Sequence, residues 1–233
     1  MKFEILTTQP GIYESFLKTG LIARGISKDI INISIHSLYD YADDPHHSID
    51  DTPYGGGAGM IIRVDIIDQA LFALNSQASK LNAKIILLTP QGKLFNQEKA
   101  IELSKEKNLI IISGRFEGYD ERIRDLVDEE ISVGDYVLTS GDLPAMILID
   151  SVSRQIPGFI EKEKSIEIES FSGNSLEYPQ YTRPEEYKGK FVPEILLSGN
   201  HGEVDKWRKK ESEKRTKERR PDLSAIAQNK RLP

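Results

Sequence analysis

Three glycine-punctuated stretches, each following an apolar run, carry most of the side chains able to do chemistry. Residues 114–122 (GRFEGYDER) set acids, arginines and aromatics directly after the apolar run 109–112 (LIII). Charges are poor core residues, so this position favours a site; a buried salt-bridge network is the competing reading. Residues 132–141 (SVGDYVLTSG) place Gly134 and Gly141 around a stretch whose backbone groups a ligand can read. Residues 89–92 (TPQG) stop a third run, 84–88 (KIILL). Lysines are few near these turns, so an uncharged or zwitterionic ligand suits them better than a triphosphate. Residues 51–60 (DTPYGGGAGM) form the densest glycine cluster, which permits positive φ and close backbone approach. The spacing is not G-x-G-x-x-G, no strand is expected before it, and no G-x-x-x-x-G-K-[ST] occurs. A tight surface turn is its bland alternative. Residues 179–184 (PQYTRP) put an arginine beside a tyrosine, a pairing suited to phosphate or base contact or to a proline-braced turn.

Other chemistries find little support. The four histidines, His36, His46, His47 and His201, show no H-E-x-x-H or comparable ligand spacing. No G-x-S-x-G elbow is present. The chain has no cysteine, which removes disulfides, cysteine-ligated zinc, iron–sulfur clusters and a cysteine nucleophile.

The elements that must position these turns follow from periodicity. Residues 2–6 read as a strand, and 30–35 (IINISI) alternate as a second. A polar loop of about twenty residues follows, 39–59, a length more often functional than idle. Ile66, Ala70 and Leu74, four apart, predict a helix capped by Asp65. Further expectations are a strand at 84–88, a polar helix at 96–107 and a strand at 109–112. Then come a helix at 120–127, a short strand at 131–133 and an apolar helix at 143–154. Apolar runs alternating with helical patterns indicate an α/β unit on a parallel sheet. In such sheets ligands bind beyond the carboxyl ends of the strands, where the three turns lie.

The 233 residues amount to one large domain or two small ones, with a core that needs no staples. No run is long and apolar enough to span a bilayer, and the first residues show no signal-peptide pattern, so the reading is of a soluble, cytoplasmic protein. The net charge of −6 argues against a generic polyanion binder. It hides an asymmetry: residues 205–220 hold nine Lys/Arg against four acids, and 120–135 hold seven acids against two arginines. A basic end on an acidic body suggests a local nucleic-acid contact, with a solvated, salt-bridged helix as the alternative. Residues 160–175 are charged and serine-rich with little periodicity and read as a linker that orders on demand.

Taken together, the motifs resemble one family, the bacterial tRNA (guanine-N1-)-methyltransferases of the SPOUT superfamily of knotted methyltransferases. The matching segments are 50–60 (DDTPYGGGAGM), TPQG, GRFEGYDER, 132–145 (SVGDYVLTSGDLPA) and 150–158 (DSVSRQIPG). They continue with PQYTRP, 196–202 (LLSGNHG), Trp207-Arg208 and 219–223 (RRPDL). Nine motifs in the family's order make the resemblance specific, where no single one would. It implies an α/β domain with a deep trefoil knot over residues 1–159, a flexible linker at 160–175 and a helical tRNA-binding domain at 176–233. It also implies a homodimer with a composite active site.

The resemblance further implies S-adenosylmethionine as methyl donor, held by backbone around Gly114 and by Val133, Gly134, Asp135, Tyr136, Val137 and Leu138. Leu88, Pro90, Gly141 and Pro144 are implied as further contacts. The implied reaction is methylation of N1 of the guanine just 3′ of the tRNA anticodon. Neutral guanine N1 carries a proton, so a base must remove it while charge builds on O6. The family's linker carboxylate falls on Glu169 and its assisting arginine on Arg154; Glu117 and a magnesium ion are also implicated. His46, Asp50, Arg115, Arg183 and Gly199 are the implied tRNA contacts. The chain departs from the family pattern at Glu169, where aspartate is common and where Glu167 is a possible substitute. It also departs at Ser113, where cysteine is frequent, and at Ser140-Gly141-Asp142, where Gly-Gly-Glu is usual. Rival readings are a non-catalytic RNA-binding relative and a SPOUT enzyme acting on ribose 2′-OH or ribosomal RNA. Arg154 with a retained carboxylate opposes the first; Y-G-G-G and Y-T-R-P oppose the second.

Overall fold

The computed structural model describes residues 1–77, 83–161 and 169–223. The chain divides into two compact units, Met1–Glu161 and Lys162–Pro233. The first is built on five parallel strands: β1 (Lys2–Thr7), β2 (Asn32–Ser37), β5 (Lys84–Leu94), β6 (Asn108–Ile112) and β7 (Glu129–Ser132). Their spatial order is β2-β1-β6-β5-β7. A separate two-stranded hairpin, β3 (Asp50–Asp51) with β4 (Ile61–Ile62), brackets the glycine-rich loop. The mixed α/β class and the parallel sheet are as the sequence predicts.

Both faces of the sheet are covered, which explains the unbroken apolar runs 85–88 of β5 and 109–112 of β6. On one face Phe3, Ile5, Leu109 and Ile111 pack with residues of α2 (Gly20–Ser27), α4 (Gln97–Leu103) and α5 (Asp142–Ser153). On the other, Leu6, Leu87, Ile110 and Ile112 meet α3 (Val64–Gln77) through Ile66, Ile67, Ala70, Leu71 and Leu74. A short α1 (Glu14–Lys18) precedes α2.

Four local expectations need correction. Asp65 does not cap α3: the helix begins at Val64, and the Asp65 carboxylate instead pairs with Arg63. Residues 120–127 form a 3-10 helix, Glu121–Leu126, with Asp120 accepting at its N-terminus from the Arg122 amide at 3.0 Å. The glycine cluster does follow a strand, the two-residue β3. Nor does TPQG end its strand: β5 runs to Leu94, and its pairing with β7 shifts register between Leu88 and Lys93, so Thr89–Gly92 bulges out. Glycine is required in that bulge, because a Cβ on Gly92 would collide with the backbone of Ile131.

Two carboxylates lie inside this unit, Glu4 on β1 and Asp142 at the start of α5. Glu4 is 2% exposed on β1, with the Lys2 ammonium on one oxygen and His36 Nε2 2.6 Å from the other. Burial alone would raise its carboxyl pKa; the His36 hydrogen bond and Lys2 outweigh that and hold it below the ordinary 4.5. A depressed folded-state pKa contributes stability above the unfolded value, and that stability is lost as pH falls through the folded one. Glu4→Gln is therefore expected to lower the melting temperature at pH 7 and to flatten its decline below pH 4.5. Melts of both proteins across that range check it.

The second unit is mainly helical. A hairpin pairs Glu186–Tyr187 with Lys190–Phe191 through Lys188 and Gly189, both at positive φ. The helices Glu194–Leu197 and His201–Arg219 follow. The long helix is polar nearly all round, with only Val204 and Thr216 buried. Thr216 Oγ1 accepts from the Leu176 amide at 2.9 Å, and Ser212 Oγ donates to the Leu176 carbonyl at 2.6 Å, strapping the preceding chain to the helix. Within the expected linker, residues 169–175 form a turn: the Ser172 amide donates to the Glu169 carbonyl, and the Phe171 amide to that of Ser175. Glu167 lies outside the described residues.

Candidate functional site: a cleft at the carboxyl ends of three strands

The strand order reverses around β6, β5 and β7, and a cleft opens past their carboxyl ends, where doubly wound sheets place ligands. Each wall is a short turn. From β5 come Leu88, Thr89 and Pro90; from β6, Gly114 to Tyr119. The turn after β7 contributes Val133, Gly134, Tyr136, Val137 and Leu138, and Thr139, Ser140, Gly141 and Pro144 close the cleft at the start of α5. Of the positions implied as cofactor contacts, Asp135 alone falls outside this lining; it is exposed.

Local packing holds the turns. Gly114 is glycine because the Tyr119 ring occupies the space a Cβ would need. The Tyr119 hydroxyl lies 3.4 Å from the carbonyl oxygens of Leu88 and Ile112, bridging the start of the β5 bulge and the end of β6. Burial, and secondarily the Asp142 charge, push that phenol above its ordinary range, so it stays protonated. After β7, the Gly134 amide donates to Ser132 Oγ at 3.3 Å and the Tyr136 amide to the Gly134 carbonyl at 2.9 Å. Gly134 has φ +155°, and the Tyr136 ring fills its Cβ position. The Gly141 amide donates to the Gly114 carbonyl at 2.8 Å, bringing the α5 turn onto the β6 turn.

The lining contains one arginine, Arg115, and one carboxylate, Glu117, both exposed. Glu117 folds over the glycine-rich loop, and its side chain occupies the space a Cβ on Gly59 would need. Two backbone bonds fasten that loop to the β6 turn: the Glu117 amide to the Met60 carbonyl at 3.0 Å and the Ile62 amide to the Gly118 carbonyl at 2.9 Å. His46 is exposed and Asp50 half-buried on the stretch leading into this hairpin; neither lines the cleft.

Arg154 is half-buried and caps the C-terminal end of α5, its amide donating to the Asp150 carbonyl at 3.1 Å. Glu169, Arg183 and Gly199 belong to the second unit. Glu169 is half-buried and Arg183 exposed; Gly199 lines a shallow cavity with Tyr178, Tyr181 and Arg208. The Arg208 guanidinium sits 5.0 Å from the Tyr178 ring centroid. Sequence reasoning missed the bridging role of Tyr119 and the burial of Asp142, 1% exposed at the start of α5. A lone acid before an apolar helix reads as an ordinary exposed first-turn residue, and nothing local signals that hydroxyls from distant segments converge on it.

The family model described as tRNA (Guanine-1)-methyltransferase TrmD matches residues 1–226. Three relatives, each named tRNA (guanine-N(1)-)-methyltransferase, illustrate the similarity. The Geobacter sp. protein is 49% identical over 96% of this chain and 89% of its own length. The Bacillus subtilis protein is 48% identical over 96% and 92%. The Ruminiclostridium cellulolyticum protein is 46% identical over the whole of both chains. With a family model spanning nearly all of it and relatives at about half identity across their length, the chain belongs to the tRNA (guanine-N1)-methyltransferase family.

Proposed function

We propose that this protein transfers a methyl group from S-adenosylmethionine to N1 of the guanine immediately 3′ of the tRNA anticodon. The products are 1-methylguanosine and S-adenosylhomocysteine. The observation that carries this reading is the cleft itself. Its walls are glycine-rich backbone turns with one arginine and one glutamate, a setting for a ligand read by backbone groups rather than for a polyphosphate. Bound there, S-adenosylmethionine supplies an electrophilic methyl group; the cleft backbone holds and orients it.

The chain's own residues deal with the guanine. Glu169 takes the N1 proton, which frees the nitrogen lone pair for attack. Arg154 offsets the negative charge that builds on O6. A magnesium ion would be held by Glu117, the carboxylate of the cleft lining, with substrate oxygens and water completing its shell. The ion would add positive charge beside the base.

In this reading residues 1–159 form the knotted SPOUT domain, 160–175 the linker and 176–233 the tRNA-binding domain. The Gly141–Gly114 bond lays the segment before α5 against the end of β6. A homodimer is supported by α5, which exposes Leu143 and Ile147. The enzyme works on tRNA in the cytoplasm; among the described residues no helix is long and apolar enough to cross a membrane.

Incubation with labelled cofactor and a tRNA transcript bearing GG across the anticodon's 3′ edge tests the proposal, by mapping the methylated atom. Label at guanine N1 is the expected result. Label on a ribose 2′-OH would replace it with the ribose-methylating reading, and no transfer would leave the RNA-binding rival.

The basic helix gives a second test. Lys209, Lys210 and Lys214 are exposed, whereas Arg215 donates to the Glu177 carbonyl at 3.4 Å and also serves the fold. Replacing the three lysines with glutamine is expected to weaken tRNA binding and flatten the slope of log affinity against log salt by about 2. Cofactor affinity stays as it was. An unchanged slope would make this a merely solvated helix.

A further inference from the structure

Asp142 accepts hydrogen bonds from four hydroxyls. Its Oδ1 takes Thr7 at 2.6 Å, Ser113 at 2.7 Å and Tyr13 at 2.9 Å, and its Oδ2 takes Ser140 at 2.9 Å. A buried carboxylate is costly unless its acceptor positions are filled, and here they are filled from four separate places. Those places are the end of β1, the 3-10 turn after it, the end of β6 and the turn before α5. Helix capping does not require this arrangement, since Gly141 is the N-cap residue. Burial first, and Asp142 next, hold the Tyr13 phenol above its ordinary range, so it remains a donor.

One of the four donors lines the cleft and a second adjoins it. Ser113 immediately precedes Gly114 in the β6 wall, and Ser140 lies in the α5 wall. Asp142 itself does not line the cleft. Its carboxylate therefore spans the two walls from behind, beside the bond from the Gly141 amide to the Gly114 carbonyl.

We propose that Asp142 is a positioning residue for methyl transfer: by bridging Ser113 and Ser140 it sets the spacing of the β6 and α5 turns, and so the affinity for S-adenosylmethionine, without touching it. This rests on the reading of the cleft as the cofactor site. A ligand held by backbone groups depends on where two turns stand relative to each other, and catalytic constellations tolerate displacements of only about 0.5 Å. Asp142→Asn keeps the shape but removes the charge and turns one acceptor into a donor, so the walls relax apart.

The experiment measures S-adenosylmethionine affinity by calorimetry, kcat and KM for the cofactor, and melting temperature. Asp142→Asn is expected to raise Kd and KM about 10-fold while kcat at saturating cofactor stays within about 3-fold. Ser113→Ala and Ser140→Ala are each expected to weaken binding about 3-fold, and the double variant no more than the worse single one, because both act through one carboxylate. Tyr13→Phe removes a hydroxyl from the same oxygen on a residue away from the cleft; it should lower the melting temperature and leave Kd within about 2-fold. Fully multiplicative serine losses would overturn the proposal. So would an Asp142→Asn protein that melts earlier but binds as tightly as the parent. Gly134→Val, in the cleft but outside this network, separates the two levels. If it weakens binding and Asp142→Asn does not, the positioning role alone fails. If neither does, the cofactor cleft has been misplaced, and the positioning role falls with it.

Discussion

Glu169→Gln is expected to slow single-turnover methyl transfer by about 10²-fold or more, with cofactor and tRNA affinities nearly unchanged. Glutamine matches glutamate in size but cannot take the N1 proton, so the loss falls on the transition state rather than on binding. The backbone that carries the side chain is tied down: the Glu169 carbonyl accepts from the Ser172 amide at 3.1 Å, and Ser170 Oγ accepts from the Glu177 amide at 3.0 Å. The carboxylate thus stands on a hydrogen-bonded turn, where a one-methylene change in reach is felt. Glu169→Asp moves the carboxylate back by about 1 Å, a distance to which catalytic geometry is sensitive. It should retain substantial activity, since a base is still present on the same turn. Two results redirect the mechanism. If Glu169→Gln is near the parent and Glu167→Gln is inactive, the base lies two residues earlier. If both are near the parent, proton removal does not run through a linker carboxylate.

The β5 and β6 walls of the cleft were legible in the sequence because their buried parallel strands write themselves as unbroken apolar runs, whereas β7 offers one aliphatic residue, Ile131, before its turn. Residues 109–112 are entirely aliphatic and give way at once to Ser113 and Gly114, so the edge of the core and the start of the site coincide. Strand order was not legible, because a run buried on both faces carries no mark of its neighbours. The Thr89–Gly92 bulge misled for a related reason: proline and glycine usually end strands, but here β7 supplies pairing on both sides of the excursion. Long-range polar contacts were the least visible. In one dimension Ser113, Ser140 and Asp142 are unrelated positions. In three, Ser113 and Ser140 both donate to the Asp142 carboxylate. Hydroxyls at both serine positions reach the carboxylate where it stands.

Gly134→Val is expected to weaken S-adenosylmethionine binding by about 10-fold or more while the sheet beneath stays folded. Two effects act at this position. Gly134 holds φ +155°, a conformation that suits few residues other than glycine and suits β-branched ones least. A Cβ there would also overlap the ring of Tyr136, which is 54% exposed and has room to swing away from the wall. The two contributions separate in a second variant. Tyr136→Ala in the Gly134→Val background, compared with Tyr136→Ala alone, removes the overlap and leaves the backbone strain, so the affinity loss that valine still causes there measures the backbone share. The turn is otherwise held by Ser132 Oγ and by the Tyr136 amide on the Gly134 carbonyl, and valine at 134 would break both as the backbone shifts. Because β7 and its partner β5 lie below these bonds, the melting temperature should move little compared with the affinity. Calorimetry decides: a folded Gly134→Val protein that binds the cofactor as tightly as its parent would remove this turn from the site.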